Sequence, residues 1–322
     1  MTYFLFFLGF AFLIKGADFL VDGASSVAKK FSVSPLVIGL TIVAFGTSAP
    51  ELVVNILASI QGSSDLAISN IIGSNISNTL LILGIAALIY PIGLSKGTVW
   101  KEIPLSFLAL AVVFMLANDH LIDHQSFATL GRIDGLILLS FFIIFLYYTF
   151  GIAKIQGGEN DEIVEYKTIT SVGLIFIGMI GLTLGGKWVV DGAIEVARQF
   201  GLSESLIGLT VVAIGTSLPE LATSAIAAYK KSPDIAIGNI VGSNIFNLFW
   251  ILGASATIRP LIFNETLNFD LAVAGGATVL LFIFILIRRR HLLKDEHKID
   301  RLEGAIFVLL YISYIAYLVI RG

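Results

Sequence analysis

The chain has 322 residues, 57% hydrophobic and only 13% charged, with a formal net charge of −3 and a mean hydropathy of +0.93. A soluble domain carries about 25% charged residues, so a water-soluble globule is excluded. The absence of cysteine also excludes disulfides, thiolate metal sites and cysteine nucleophiles.

In chain order, the opening stretch "MTYFLFFLGFAFLIKGADFL" has neither a basic leader nor a small-residue cleavage site, and reads as a retained first span over 2–21. Apolar runs follow at 34–60, 66–90, 101–117 and 133–152. The polar segment 153–167, containing "QGGENDEIVEYK", reads as a linker. A second set of runs then falls at 168–190, 203–229, 234–258, 268–287 and 302–320. Each approaches or exceeds the roughly 20 residues that a bilayer core requires. The expectation is an all-α polytopic protein with ten transmembrane helices.

The two sets are copies. Residue n matches residue n+169 without a gap from 38 to 91, with 30 identities in 54 positions. "IGLTIVAFGTS" pairs with "IGLTVVAIGTS", and "NIIGSNISN" with "NIVGSNIFN". Residues 1–152 thus form a first five-helix repeat with its motif at 38–91, and 168–322 a second with its motif at 207–260. Five is odd, so the second repeat enters the membrane inverted. The segments 22–33, 91–101, 153–167, 230–233 and 288–301 hold 14 Lys and Arg, against four (Arg132, Arg198, Arg259, Arg321) on the other side. Basic loops stay inside, which puts both termini of a multi-pass cell-membrane protein outside the cytoplasm. Inverted repeats of this kind build secondary transporters, with sites at the midplane where the repeats meet.

The repeated motif carries chemistry. Pro50 and Pro219 lack an N–H and clash with the carbonyl four residues back, so each breaks its span. The carbonyls of Gly46 and Gly215 lose their helical partners, and those of Ala44, Thr47, Ala213 and Thr216 are expected to loosen. Glu51 and Glu220 follow at the start of the second half-helix, with hydroxyls at Ser48 and Ser217. These are hard oxygen donors, suited to Na⁺ and Ca²⁺. In the next span Asn70, Ser74 and Asn78 lie four apart on one helix face, and Asn239, Ser243 and Asn247 repeat the stripe. Small and amide residues in spans also serve helix packing, but intramembrane acids mark ion pathways, and here both features are duplicated.

The pair "GTSAPE" and "GTSLPE", each followed by a "GSN" helix, resembles the two α-repeats of the sodium/calcium exchanger family, within the cation/Ca²⁺ antiporter superfamily. The resemblance implies that Glu51 and Glu220 bind Ca²⁺ directly. It implies that Ala44, Thr47, Ser48 and Ser74, with Ala213, Thr216, Ser217 and Ser243, complete Ca²⁺ and Na⁺ sites. Asn78 and Asn247 match positions flanking the centre, and many members carry an acid where this chain has Asn247. The resemblance further implies that spans 2–21 and 168–190 slide over the central bundle.

Other features read more plainly. Lys15, Asp18, Asp22, Lys187 and Asp191 look like helix-end anchors. His120 and His124 sit beside Asp119 and Asp123 in a loop that is better explained by solvation than by a metal. Glu159, Asp161, Glu162 and Glu165 lack EF-hand spacing, and Arg288–Arg290 follow from topology. The resulting expectation is a secondary antiporter that exchanges Na⁺ for Ca²⁺ by alternating access, electrogenically. A Ca²⁺/H⁺ exchanger using protonation of Glu51 and Glu220 is the alternative, and a channel with a glutamate ring a weaker one. No nucleophile–base or metal–His constellation supports an enzyme. The partners expected are Ca²⁺, Na⁺ and the lipid bilayer, with no cofactor, nucleic acid or obligate protein partner.

Overall fold

The computed structural model describes residues 2–122, 124, 128–153, 165–199, 213–291 and 297–321. Helix α1 (Thr2–Phe31) is 30 residues long and outruns the expected 2–21 span. Gly23, Ala24, Ser25, Ser26 and Ala28 are buried against neighbours, which carries the helix through a segment that composition alone marks as a loop. Lys29 and Lys30 close its last turn, where cations favour the negative end of the helix dipole.

Helices α2 (Pro35–Thr47) and α3 (Ala49–Gln61) form one span bent by 48°. The break falls at Ser48, with φ −83° and ψ 5°, two residues before Pro50. Proline is tolerated in the first turn of a helix, where its missing N–H would have no partner anyway, so Pro50 opens α3 instead of sitting at the kink. Then come α4 (Ser64–Ile89), α5 (Thr98–Ala117), α6 (Arg132–Gly151) and α7 (Thr168–Gln199). The second copy of the motif repeats the break, with α8 (Ala213–Thr216) and α9 (Leu218–Tyr229) separated at Ser217, φ −87° and ψ 5°. The chain ends with α10 (Pro233–Ile258), α11 (Leu267–His291) and α12 (Arg301–Arg321).

Among the described residues eight helices are long and apolar enough to cross a membrane, and the bent α2–α3 pair makes a ninth. The expected span at 203–229 lies partly outside the described residues. Helices α4 and α10 occupy the centre, with 78% and 94% of their most apolar stretch buried, against 22% for α6 and 17% for α12. Both central helices widen to a π-type turn, at Ser77–Ile82 and Phe246–Ile251. Such turns disturb the i, i+4 register and recur at functional positions.

Four short strands qualify the all-α expectation. β1 (Ile92–Leu94) pairs antiparallel with β4 (His297–Ile299), and β2 (Thr129–Leu130) with β3 (Leu261–Ile262). Each pair joins a segment before residue 153 to one after residue 167. Helices α1 and α7 also join across that divide. They run antiparallel with backbones in contact, because a Cβ built on Gly9 would lie 2.9 Å from the Gly185 carbonyl oxygen and one on Gly16 2.9 Å from that of Gly178. Any larger side chain there forces the helices apart.

Candidate functional site

Both glutamates sit in the first turn of a half-helix, Glu51 in α3 and Glu220 in α9. The free N–H groups and positive dipole end of a helix N-terminus favour an anion at that position. Each residue is only 1% exposed, and the two carboxyl groups interact electrostatically. Around them the structure gathers neutral oxygen. The Ser48 hydroxyl donates to Glu220 Oε1 at 2.9 Å, and the Ser243 hydroxyl lies 3.5 Å from the same atom. Thr47 donates to Asn239 Oδ1 at 3.0 Å and Thr216 to Asn70 Oδ1 at 3.2 Å. Ser217 donates to Ser74 at 3.3 Å.

All of these contacts except Ser243 to Glu220 cross from one half of the chain to the other. Of the other carboxylate oxygens, Glu51 Oε2 and Glu220 Oε2 are buried with no hydrogen-bond partner among the described residues. No cluster of three or more His, Cys, Asp or Glu occurs among the described residues. The chemistry available is therefore two carboxylates with hydroxyl and amide oxygens, a set that matches alkali and alkaline-earth cations.

Asn78 and Asn247 lie in the π-type turns of α4 and α10, each 1% exposed. The Asn78 Nδ2 donates to Asn244 Oδ1 at 3.1 Å, and the Asn247 Nδ2 to Asn75 Oδ1 at 3.0 Å. Their own Oδ1 atoms are buried without a partner among the described residues. The structure thus bonds Thr47, Ser48, Glu220 and Ser243 together with Asn239, and joins Thr216 to Asn70 and Ser217 to Ser74. It sets Asn78 and Asn247 in a separate amide cluster with Asn75 and Asn244, while Glu51 is buried and interacts electrostatically with Glu220.

The Ala44 carbonyl corrects an expectation. It is engaged within the chain, accepting from the Ser48 N–H at 2.9 Å and the Thr47 hydroxyl at 3.3 Å. The bend at Ser48 leaves this last turn of α2 intact, so the carbonyl is not loosened here. Ala213 begins the corresponding turn of α8.

Residues 1–151 and 170–320 match the profile of the sodium/calcium exchanger protein family. The chain belongs to that family. The putative antiporter CaxA of Alkalimonas amylolytica is 37% identical over 316 residues, covering 95% of each chain. The sodium/calcium exchanger MaX1 of Methanosarcina acetivorans is 32% identical over 352 residues, covering 99% of this chain and 98% of its own. A solved structure of the sodium-calcium exchanger NCX_Mj, soaked with 10 mM Na⁺ and zero Ca²⁺, superposes with a TM-score of 0.83 at 34% identity, covering 98% of both chains. The sodium/calcium exchangers are membrane transporters, not enzymes.

For this member of the exchanger family, several side features acquire definite partners. Asp18 and Asp22 are not free helix-end anchors. Lys230, just past α9, bonds to Asp18 Oδ1 at 2.5 Å and to Asp22 Oδ1 at 2.7 Å. The matching residues of the second half, Lys187 and Asp191, are exposed and show no ion pair among the described residues. His120 pairs with Glu265 at 3.0 Å on the surface. Glu159, Asp161 and Glu162 lie outside the described residues. Sequence reasoning passed over Asn75 and Asn244, although both stand in the quoted "GSN" triplets. The i, i+4 stripe ran through Asn70, Ser74 and Asn78, and nothing in the letters marks the π-type turns.

Proposed function

We propose that this chain extrudes Ca²⁺ in exchange for entering Na⁺, by alternating access around Glu51 and Glu220. The observation that carries the reading is the pair of buried carboxylates, one in the first turn of each half-helix, with hydroxyls on Glu220 and with each carboxylate keeping one oxygen unpartnered among the described residues. An unpaired buried charge is costly, and a divalent cation held between the two removes that cost. Thr47, Ser48, Ser74, Thr216, Ser217, Ser243, Asn78 and Asn247 then supply further oxygen, together with the carbonyls of Ala44 and Ala213 once their turns rearrange.

The domain plan belongs to the same proposal. Residues 1–152 and 168–322 are inverted five-helix repeats joined by a cytoplasmic linker at 153–167, with ten spans and both termini outside. The antiparallel α1–α7 contact and the reciprocal strand pairs support it, because β1 and β2 lie 169 residues before β3 and β4 at Ile92/Leu261 and Thr129/Lys298.

Electrogenic exchange follows from the stoichiometry that the resemblance implies, since charge alone would be balanced by one Ca²⁺ or by two Na⁺. The site holds two carboxylates, formally −2. One Ca²⁺ neutralises it, and the three Na⁺ that the exchanger resemblance implies leave it at +1, so the cycle moves one net charge. Each charge crossing the full field is worth about 2.3 kcal/mol per 100 mV. The test is Ca²⁺ uptake into sodium-loaded proteoliposomes at fixed pH. Uptake is expected to require internal Na⁺ and to accelerate when the interior is made positive. Uptake driven by a pH gradient without Na⁺ supports the Ca²⁺/H⁺ alternative, and Na⁺-dependent uptake that ignores voltage supports a two-for-one cycle.

A further inference from the structure

We propose that Asn75 and Asn244 are positioning residues that aim the carbonyl oxygens of Asn247 and Asn78 at the transported cations. This rests on the cation-exchange reading above and adds a pair of residues that do not themselves touch the ions.

An asparagine is two-faced. Its carbonyl accepts and its amide donates, and only the carbonyl end can bind a cation. Which end faces the site depends on what holds the other. Asn247 Nδ2 is held by Asn75 Oδ1 at 3.0 Å, and Asn78 Nδ2 by Asn244 Oδ1 at 3.1 Å. All four amides are at most 5% exposed, so water cannot substitute for these partners.

The orientation of the two holders is itself fixed. Asn75 Nδ2 donates to the main-chain carbonyl of Asn244 at 3.3 Å. A backbone carbonyl can only accept, so Asn75 has to present its amide there and its oxygen to Asn247. Asn244 Nδ2 donates to the Thr79 hydroxyl at 3.0 Å, which leaves its oxygen for Asn78. The chain of choices ends with Asn78 Oδ1 and Asn247 Oδ1 buried and unpartnered. Both bonds that hold the ligand amides cross between α4 and α10, so each half of the molecule orients a ligand of the other.

The two holders differ in firmness. A hydroxyl such as Thr79 can donate as well as accept, whereas the carbonyl that fixes Asn75 cannot. The residue matching Thr79 in the second half is Leu248, which is why Asn75 turns to the backbone. Asn247 is therefore the more strictly oriented ligand, and Asn75 the holder whose loss matters more.

A carboxylate at position 247 would need no such holder, because both of its ends are oxygen. That contrast supplies the test. Asn75→Leu is compared in the native background and in Asn247→Asp, reading half-saturating Ca²⁺ and maximal rate of Na⁺-dependent uptake. In the native background half-saturating Ca²⁺ should rise about tenfold, the worth of one hydrogen bond, with the maximal rate nearly unchanged. In Asn247→Asp the same substitution should change it far less, and Asn244→Leu should give a smaller rise than Asn75→Leu. An equal loss in both backgrounds means Asn75 only packs the helices and overturns the proposal, as does an unchanged half-saturation in the native background. If Asn75→Leu does not fold, Asn75→Ala removes the same acceptor with less bulk. Absence of Na⁺-dependent uptake in the native protein would instead sink the exchange reading, a result distinct from either.

Discussion

Ser48 and Ser217 occupy the same backbone geometry, with φ −83° and −87° and ψ 5° at both, inside nearly the same letters. Their hydroxyls nevertheless do different things. Ser48 reaches across to Glu220 at 2.9 Å, while Ser217 reaches Ser74 at 3.3 Å. Local sequence sets the bend, but the partner is chosen by how the opposite half sits against it. A motif repeated in two halves of one chain can therefore hold two unlike arrangements at once.

The largest effect comes from the glutamates, which occupy matching positions of the two motifs. Glu51→Gln and Glu220→Gln should each lower Ca²⁺ uptake by about 100-fold or more, the scale of removing one member of a buried charge set. Labelled Ca²⁺ flux with folded, purified variants checks this. Near-normal flux from either variant would remove that glutamate from the site.

Asn247→Asp should alter pH dependence more than maximal rate. A carboxylate titrates where an amide does not. It adds negative charge at higher pH and loses it on protonation, so half-saturating Ca²⁺ should worsen as pH falls in the variant but less so in the native protein. Parallel pH profiles would place residue 247 outside the ion field.

The serines provide the sharpest form of the comparison. Ser48→Ala should weaken equilibrium Ca²⁺ binding about threefold more than Ser217→Ala, since only Ser48 bonds a carboxylate here and such bonds exceed neutral ones. Equal effects would mean the asymmetry averages out between states.

The smallest effect is expected at Lys230. Its bonds to Asp18 and Asp22 tie α1 to the end of α9, whereas the matching position in the first half is Gln61. Partly exposed ion pairs are worth little, so Lys230→Gln should change the ratio of half-saturating Ca²⁺ on the two membrane sides by about twofold. An unchanged ratio would make the contact an anchor with no bearing on access.

Much of the centre was legible in the letters. Duplication drew attention to Glu51, Glu220, their hydroxyl neighbours and the Ser74/Ser243 pair, and the structure buries these residues. The bend was expected at the prolines and fell two residues earlier, since Pro50 and Pro219 suit the first turn of a new helix. The long α1 escaped notice because Asp22, Lys29 and Lys30 resemble a loop in composition, while the small residues among them pack as helix. Asn75 and Asn244 escaped because partner choice between amides is tertiary, and the π-type turns that place Asn78 and Asn247 leave no trace in spacing. The seam of α1 and α7 was written in glycines seven apart, at Gly9, Gly16, Gly23 and again at Gly178, Gly185, Gly192, but neither its existence nor its antiparallel sense follows from one helix alone.

The strand pairs bear on how the molecule is held together as an assembly. β1 with β4 and β2 with β3 each stitch the first half to the second, as do the α1–α7 seam and the mutual amide bonds of Asn118 and Asn268 at 2.9 and 2.7 Å. In this respect the protein is organised as a heterodimer whose subunits happen to share one peptide chain. Cutting within residues 153–167 severs covalent continuity but none of those attachments, so two separately translated fragments have the whole interface they need to find each other in the membrane.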